Sequence, residues 1–224
     1  MIRKLALIAG VVFAFCLTFP SFCSAKGYKF CDLLALQFET ERLVLRPQNE
    51  SDFEVLAGYL LDEDVTRFLD PSIEKGFQTQ EKALQFLKEK GSPEITSSIN
   101  LTIVLKSSDL PIGQLSVMMF GDDVVSFGYW IGKSFWGKGF ASEACFLVCD
   151  KVFNADDVRF ISIYCNSENK SSFKLACKIF NYLENQNKMS FKLKRSETSN
   201  SLSFNSREFV MKGLVLQKLD LTDF

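Results

Sequence analysis

Residues 127–144 read Phe127-Gly128-Tyr129-Trp130-Ile131-Gly132-Lys133-Ser134-Phe135-Trp136-Gly137-Lys138-Gly139-Phe140-Ala141-Ser142-Glu143-Ala144. The pattern predicts a strand, a glycine-containing turn over 132–139 and a helix over 140–154. Glycines at 137 and 139 remove Cβ atoms where the backbone must turn sharply. The first amides of the helix have no intrahelical partner, and with the helix dipole they favour an anion, most often a phosphate. Lys138 adds a positive charge within the turn. Two readings stand at this point: an anion-binding turn, or a plain strand-to-helix turn with no ligand. A P-loop is excluded because G-K-[ST] is missing at the right spacing, and a Rossmann fingerprint because G-x-G-x-x-G is absent.

Working outward, Ile99–Lys106, Ile112–Phe120 and Val124–Ile131 form an antiparallel meander, turned at Ser107-Ser108-Asp109 and Gly121-Asp122-Asp123. Upstream, Glu41–Pro47 is a first strand. Ser51-Asp52-Phe53-Glu54 has capping-box spacing before a helix carrying Phe53, Leu56 and Leu60. Short helical stretches follow at 63–69, up to Pro71, and at 79–90, ended by Gly91. Downstream come a strand at 158–165, a helix at 168–180, a strand at Met189–Arg195, a Ser/Asn-rich loop at 196–206 and a last strand at Phe209–Lys218. Strand, helix and strand across 124–165 imply two parallel strands joined by a crossover helix. The expected class is therefore α+β, with a mostly antiparallel sheet, one parallel pair and flanking helices.

The chain has 224 residues, 47% hydrophobic and 24% charged, as an ordinary folded domain does. Twenty-six basic against 27 acidic residues leave no electrostatic footprint for nucleic acid. There is no histidine, which excludes a Ser-His-Asp triad, a Cys-His dyad and His-containing zinc sites. No metal site is expected. None of the seven cysteines has C-x-x-C spacing, and Cys145 and Cys149 read as small buried hydrophobes on the helix. Residues 1–25 resemble a secretory leader, with Arg3 and Lys4, an apolar run over 5–19, and small residues at Ser24-Ala25. Its removal leaves five cysteines and a net charge of −3. An odd, scattered set is no disulfide framework and suits a reducing compartment, whereas the leader suits export or a membrane anchor. Localisation stays open between the two. Residues 26–37 are expected to be a connector, 38–218 the domain and 219–224 a tail.

The 127–144 stretch, with Q/R-x-x-G-x-G/A falling on Trp136, Gly137, Lys138, Gly139, Phe140 and Ala141, closely resembles the coenzyme A-binding core of GNAT-family N-acetyltransferases. Tryptophan at the Gln/Arg position resembles the branch that includes the ribosomal-protein N-terminal acetyltransferases. Three further segments are similar to that branch: Thr40-Glu41-Arg42-Leu43-Val44-Leu45-Arg46-Pro47, Pro111-Ile112-Gly113-Gln114-Leu115, and Asn169-Lys170-Ser171-Ser172, with Lys178 at a common basic position. The resemblance spans roughly 38–218.

The resemblance implies that acetyl-CoA is the co-substrate. Its pyrophosphate would lie on Trp136, Gly137, Lys138, Gly139, Phe140, Ala141 and Ser142. The pantetheine arm would run along Trp130-Ile131, with Asn169 binding it. A backbone amide near Ile131 would stabilise the oxyanion. Ser172 would protonate the leaving thiolate, and a neutral amine would attack directly with no covalent enzyme intermediate. The partners would be acetyl-CoA and an amine acceptor, a small molecule or a peptide N-terminus. Only residues 1–25 offer a contact for a membrane. Many relatives carry a glutamate base two residues before the strand glycine, where this chain has Ser126. That leaves the base unassigned, with Asp122, Asp123 and Glu168 as substitutes by proximity. Many relatives also end the last helix with Gly-Phe; here Phe180-Asn181 stands there, with Asn181 as a left-handed cap. A lysine amine has a pKa near ~10.4 and an α-amine near ~8, so without histidine the easier acceptor is a peptide or amino-acid α-amine, about a tenth neutral at pH 7. The alternatives are a non-catalytic acyl-CoA-binding module, motivated by Ser126, and an exported interaction protein on the same scaffold, motivated by the leader.

Overall fold

Alternating apolar residues between glycine- and aspartate-bearing turns build the centre of the sheet. The computed structural model describes residues 28–33, 36–69, 76–88, 95–186, 192–204 and 207–219. In chain order the elements are β1 (Phe38–Glu39), β2 (Leu43–Pro47), α1 (Phe53–Leu60), α2 (Glu63–Thr66), α3 (Gln80–Lys88), β3 (Ile95–Leu105), β4 (Leu110–Phe120), β5 (Val124–Ile131), α4 (Phe140–Phe153), β6 (Phe160–Asn166), α5 (Lys170–Gln186), β7 (Lys192–Phe204) and β8 (Arg207–Leu219). The strands form one eight-stranded sheet in the order β1-β2-β3-β4-β5-β6-β8-β7. Every neighbouring pair is antiparallel except β5 and β6, which α4 joins as a crossover. The expected α+β class and the meander are both present.

Side-chain alternation assigns the two faces. Leu101, Ile103, Leu115, Val117, Phe127 and Ile131 join Val148 and Val152 of α4 and Ile179 and Phe180 of α5 in the larger core. Trp130, pointing the other way from Ile131, packs with Leu56, Leu60, Ala83 and Leu87 of α1 and α3. Cys145 and Cys149 lie in the larger core as free thiols, and burial pushes both well above the ordinary thiol value, so they behave as neutral hydrophobes. In the 26–37 segment, Phe30 and Leu33 are buried in the same core, and the Phe30 amide donates to Asp157 Oδ1 at 2.8 Å.

Three local expectations change. The capping box at 51–54 does not form: Asn49 Oδ1 accepts from the Ser51 amide at 3.1 Å and starts a 3-10 turn over Glu50–Asp52. Asp52, 4% exposed, is held instead by Nη1 and Nη2 of Arg46, at 2.6 and 2.8 Å. Secondly, α5 runs past Phe180 to Gln186, so Asn181 is helical; among the described non-glycine residues only Asp109 has a positive φ. The apolar stripe Leu175, Ala176, Ile179, Phe180, Leu183 continues at helical spacing, and this packing sustains the helix. Thirdly, the Ser/Asn-rich stretch is largely strand, with β7 pairing β8 from Lys192↔Leu219 to Phe204↔Arg207. A sheet-edge strand needs a hydrogen-bonded neighbour on one side only and tolerates polar composition. Residues 205–206 of the predicted loop, Pro71, Gly91, residues 1–25 and residues 220–224 lie outside the described residues. Among the described residues, no helix is long and apolar enough to cross a membrane.

Candidate active site

The parallel ladder between β5 and β6 has only three rungs, Val124↔Phe160, Val125↔Ile161 and Ser126↔Ser162. Beyond them β5 continues to Ile131 alongside β4, while β6 continues to Asn166 alongside β8. Each strand keeps its antiparallel partner, so the two separate and leave a gap. Ile131 and Gly113 are a non-hydrogen-bonded pair, because the next amide, Gly132 N, donates to Ile112 O at 2.8 Å. The N–H and C=O of Ile131 therefore point away from β4 and into the gap. Trp136 Nε1 donates to that carbonyl at 2.6 Å, which fixes the indole although Trp136 is 46% exposed.

At the mouth of the gap Gly137 has φ 74° and Gly139 φ 81°, both left-handed, as the sharp turn demands. Residues 136–139 are exposed. The first intrahelical bond of α4 runs from Glu143 N to Gly139 O at 3.0 Å, so the amides of Phe140, Ala141 and Ser142 precede it and open outward. The Lys138 ammonium lies over the Phe135 ring at 5.5 Å and donates to Ser134 O at 3.0 Å, which keeps its charge in the turn.

A brace that local sequence reading misses holds this turn. Arg42, at the start of β2, donates through Nη1 to Lys138 O at 3.0 Å and through Nε to Glu143 Oε2 at 2.7 Å, and its guanidinium stacks over Phe140 at 4.6 Å. The Thr40 hydroxyl also donates to Glu143. The only sequence signal was the co-occurrence of Thr40-Glu41-Arg42 and Glu143 in two segments about a hundred residues apart. Partial burial opposes ionisation of Glu143, but the Thr40 hydroxyl and the Arg42 side chain and amide together hold its pKa below the ordinary 4.5. A lowered carboxylate pKa gives stability that is complete above the unfolded value and lost as pH falls through the folded value. Glu143→Gln is therefore expected to bind acetyl-CoA several-fold more weakly at pH 7. Its stability deficit in urea unfolding should shrink as both proteins are taken below pH ~4; a deficit independent of pH would exclude the charge as its cause.

On the other side of the gap, Asn169 caps α5: its Oδ1 accepts from the Ser172 amide at 3.0 Å. The Ser172 hydroxyl is paired with the Tyr129 hydroxyl at 3.1 Å. Thus Trp130, Ile131, Trp136–Ser142, Asn169 and Ser172 gather at one end of the sheet. Asp122 and Asp123 do not join them. They sit at the paired end of β5, where Asp123 O accepts from the Phe160 amide at 3.0 Å, about 26 Å along the strand from Ile131. Glu168 is at the correct end but is exposed and ion-paired to Arg67 across 3.9 Å. Ser126 stands on the last rung before the strands part.

Comparison with known proteins matches this architecture. Residues 42–179 match the acetyltransferase (GNAT) domain family, and the chain belongs to it. It is 30% identical over 139 residues to the uncharacterized N-acetyltransferase p20 of Bacillus licheniformis, covering 61% of this chain and 76% of that protein. It is 26% identical over 146 residues to YnaD, an uncharacterized N-acetyltransferase of Bacillus subtilis, covering 64% and 81%. Among solved structures, a GNAT-family acetyltransferase from Bacillus anthracis superposes with a TM-score of 0.62 at 19% identity, over 81% of this chain and 98% of that one. RimL, a ribosomal L7/L12 α-N-protein acetyltransferase solved with coenzyme A, superposes at 0.61 with 18% identity, over 83% and 99%. The protein is an N-acetyltransferase of a family whose fold uses acetyl-CoA.

Proposed function

We propose that the enzyme transfers the acetyl group of acetyl-CoA to a peptide or amino-acid α-amine by direct attack, with no covalent enzyme intermediate. The observation that carries this is the gap between β5 and β6 with the left-handed glycine turn at its mouth. Residues 136–142 hold the pyrophosphate by their amides and the dipole of α4, with Lys138 adding charge. The pantetheine arm runs along Trp130 and Ile131 and meets the amide end of Asn169. The Ile131 amide faces the thioester carbonyl and stabilises the oxyanion formed on attack. Ser172 gives its proton to the departing thiolate.

The chain offers no histidine as a base, and Ser126 stands where the family resemblance would place a carboxylate. An amine that is partly neutral in solution needs little help, which favours the α-amine, and RimL, of the same fold, is named for an α-N-protein activity. Initial rates on paired peptides carrying one free α-amine or one free ε-amine test this. Faster α-amine turnover, rising about tenfold per pH unit below ~8, is expected; a clear ε-amine preference would overturn it. A thermal shift with acetyl-CoA but no thiol release with any amine would instead support a non-catalytic acyl-CoA binder. Ligand at ~100 times its dissociation constant stabilises by about 2.7 kcal/mol.

A further inference from the structure

The geometry points to Tyr129 as a positioning residue for the transfer: its phenol donates to Ser172 Oγ and leaves the single serine proton free for the departing sulfur. This rests on the transferase reading, in which Ser172 is the acid. A serine hydroxyl has one proton and two acceptor positions, so what it receives decides where its proton can go. The contact runs from the phenol oxygen as donor to Oγ as acceptor, across 3.1 Å. A serine in a first helical turn often spends its hydroxyl on the backbone. Here the hydrogen-bond partner of Ser172 Oγ is the Tyr129 hydroxyl and not a backbone group, while Asn169 Oδ1 takes the Ser172 amide. Tyr129 lies on the free stretch of β5, two residues before Ile131, and packs against the larger core, which fixes its ring. Burial, the largest influence, drives the phenol's pKa far above the ordinary value, so it remains a protonated donor at any working pH.

The amine nitrogen bonds to the thioester carbon, and the C–S bond breaks with its electron pair on sulfur. Sulfur takes the Ser172 proton while Tyr129 keeps its own, its hydrogen bond stabilising the charge growing on Oγ. The proton shed by the amine nitrogen restores Ser172. Amine and thioester become amide and thiol.

The test uses Tyr129→Phe, Ser172→Ala and the double variant, assayed for thiol release with an α-amine peptide. Tyr129→Phe is expected to lower kcat about 10-fold, and Ser172→Ala about 100-fold, with KM for acetyl-CoA and calorimetric CoA affinity unchanged in both. The double variant should be no slower than Ser172→Ala, because the phenol acts only through the serine. Full activity in Tyr129→Phe, losses that multiply in the double variant, or a loss that resides in KM would overturn the role of Tyr129 alone. A wild-type protein that binds acetyl-CoA yet acetylates no amine would overturn the transferase reading and this inference with it.

Discussion

Replacing Gly139 with valine is expected to weaken acetyl-CoA binding by at least ~100-fold while the protein still folds. Gly139 adopts φ 81°, which costs an L-residue about 1–2 kcal/mol and a β-branched one more. Space is not the obstacle: the nearest atom to an added Cβ is Arg42 Nη2 at 3.5 Å, an ordinary contact. The strain is relieved by moving the turn, and displaced amides at the start of α4 no longer converge on an anion; misplacements of about 1 Å commonly cost ~100-fold. Gly139→Asn, which tolerates the left-handed region, should retain most of the affinity. Gly121, with φ 61° at the far end of β5, supplies the control. Gly121→Val imposes comparable strain and should leave calorimetric binding unchanged. Normal acetyl-CoA binding by Gly139→Val would remove the anion-binding assignment.

The second large effect is expected at Gly113, inside β4. A Cβ there would lie 2.2 Å from Trp130 O and 2.9 Å from Ile131 Cα, and both are backbone atoms that cannot swing aside. Gly113 faces Ile131 at the end of the β4–β5 ladder, where the other side of β5 borders the gap. Gly113→Ala must push the end of β5 away. That moves the Ile131 amide and loosens the strand, costing about 3 kcal/mol, the upper end of overpacking. The expected result is a lower urea midpoint together with a loss of about 100-fold in kcat/KM. Wild-type stability and rate in this variant would show that the close approach of β4 and β5 is not needed at the site.

Much of this fold is legible because its determinants are local. The meander follows from alternation between turns, and the crossover from strand, helix and strand in succession. The turn at 137 and 139 follows from glycines whose positive φ values few other residues adopt. Local rules fail where they meet a tertiary demand. Ser51 suits a helix cap, yet it lies inside a 3-10 turn that Asn49 starts by accepting its amide. Asn181 suits a left-handed stop, yet α5 continues because Leu183 still has a core to enter. The Ser/Asn stretch suits a loop, yet β8 offers it a row of hydrogen-bond partners. Asp122 and Asp123 are near the gap in sequence but lie at the wrong end of a strand.

From residue types and their periods alone came the class, the order of the elements, the left-handed glycine turn and the exclusion of histidine chemistry. These depend on residue type, period and backbone conformation, which are properties of short segments. The tertiary structure alone decided how far β5 and β6 stay paired, that Arg42 and Thr40 brace Glu143 under the turn, and that Tyr129 meets Ser172. The side-chain contacts among them join residues 43 to 103 positions apart, and no local pattern encodes them. They exist because each diverging strand is held by a different neighbour, and that competition is settled only when the whole sheet is assembled.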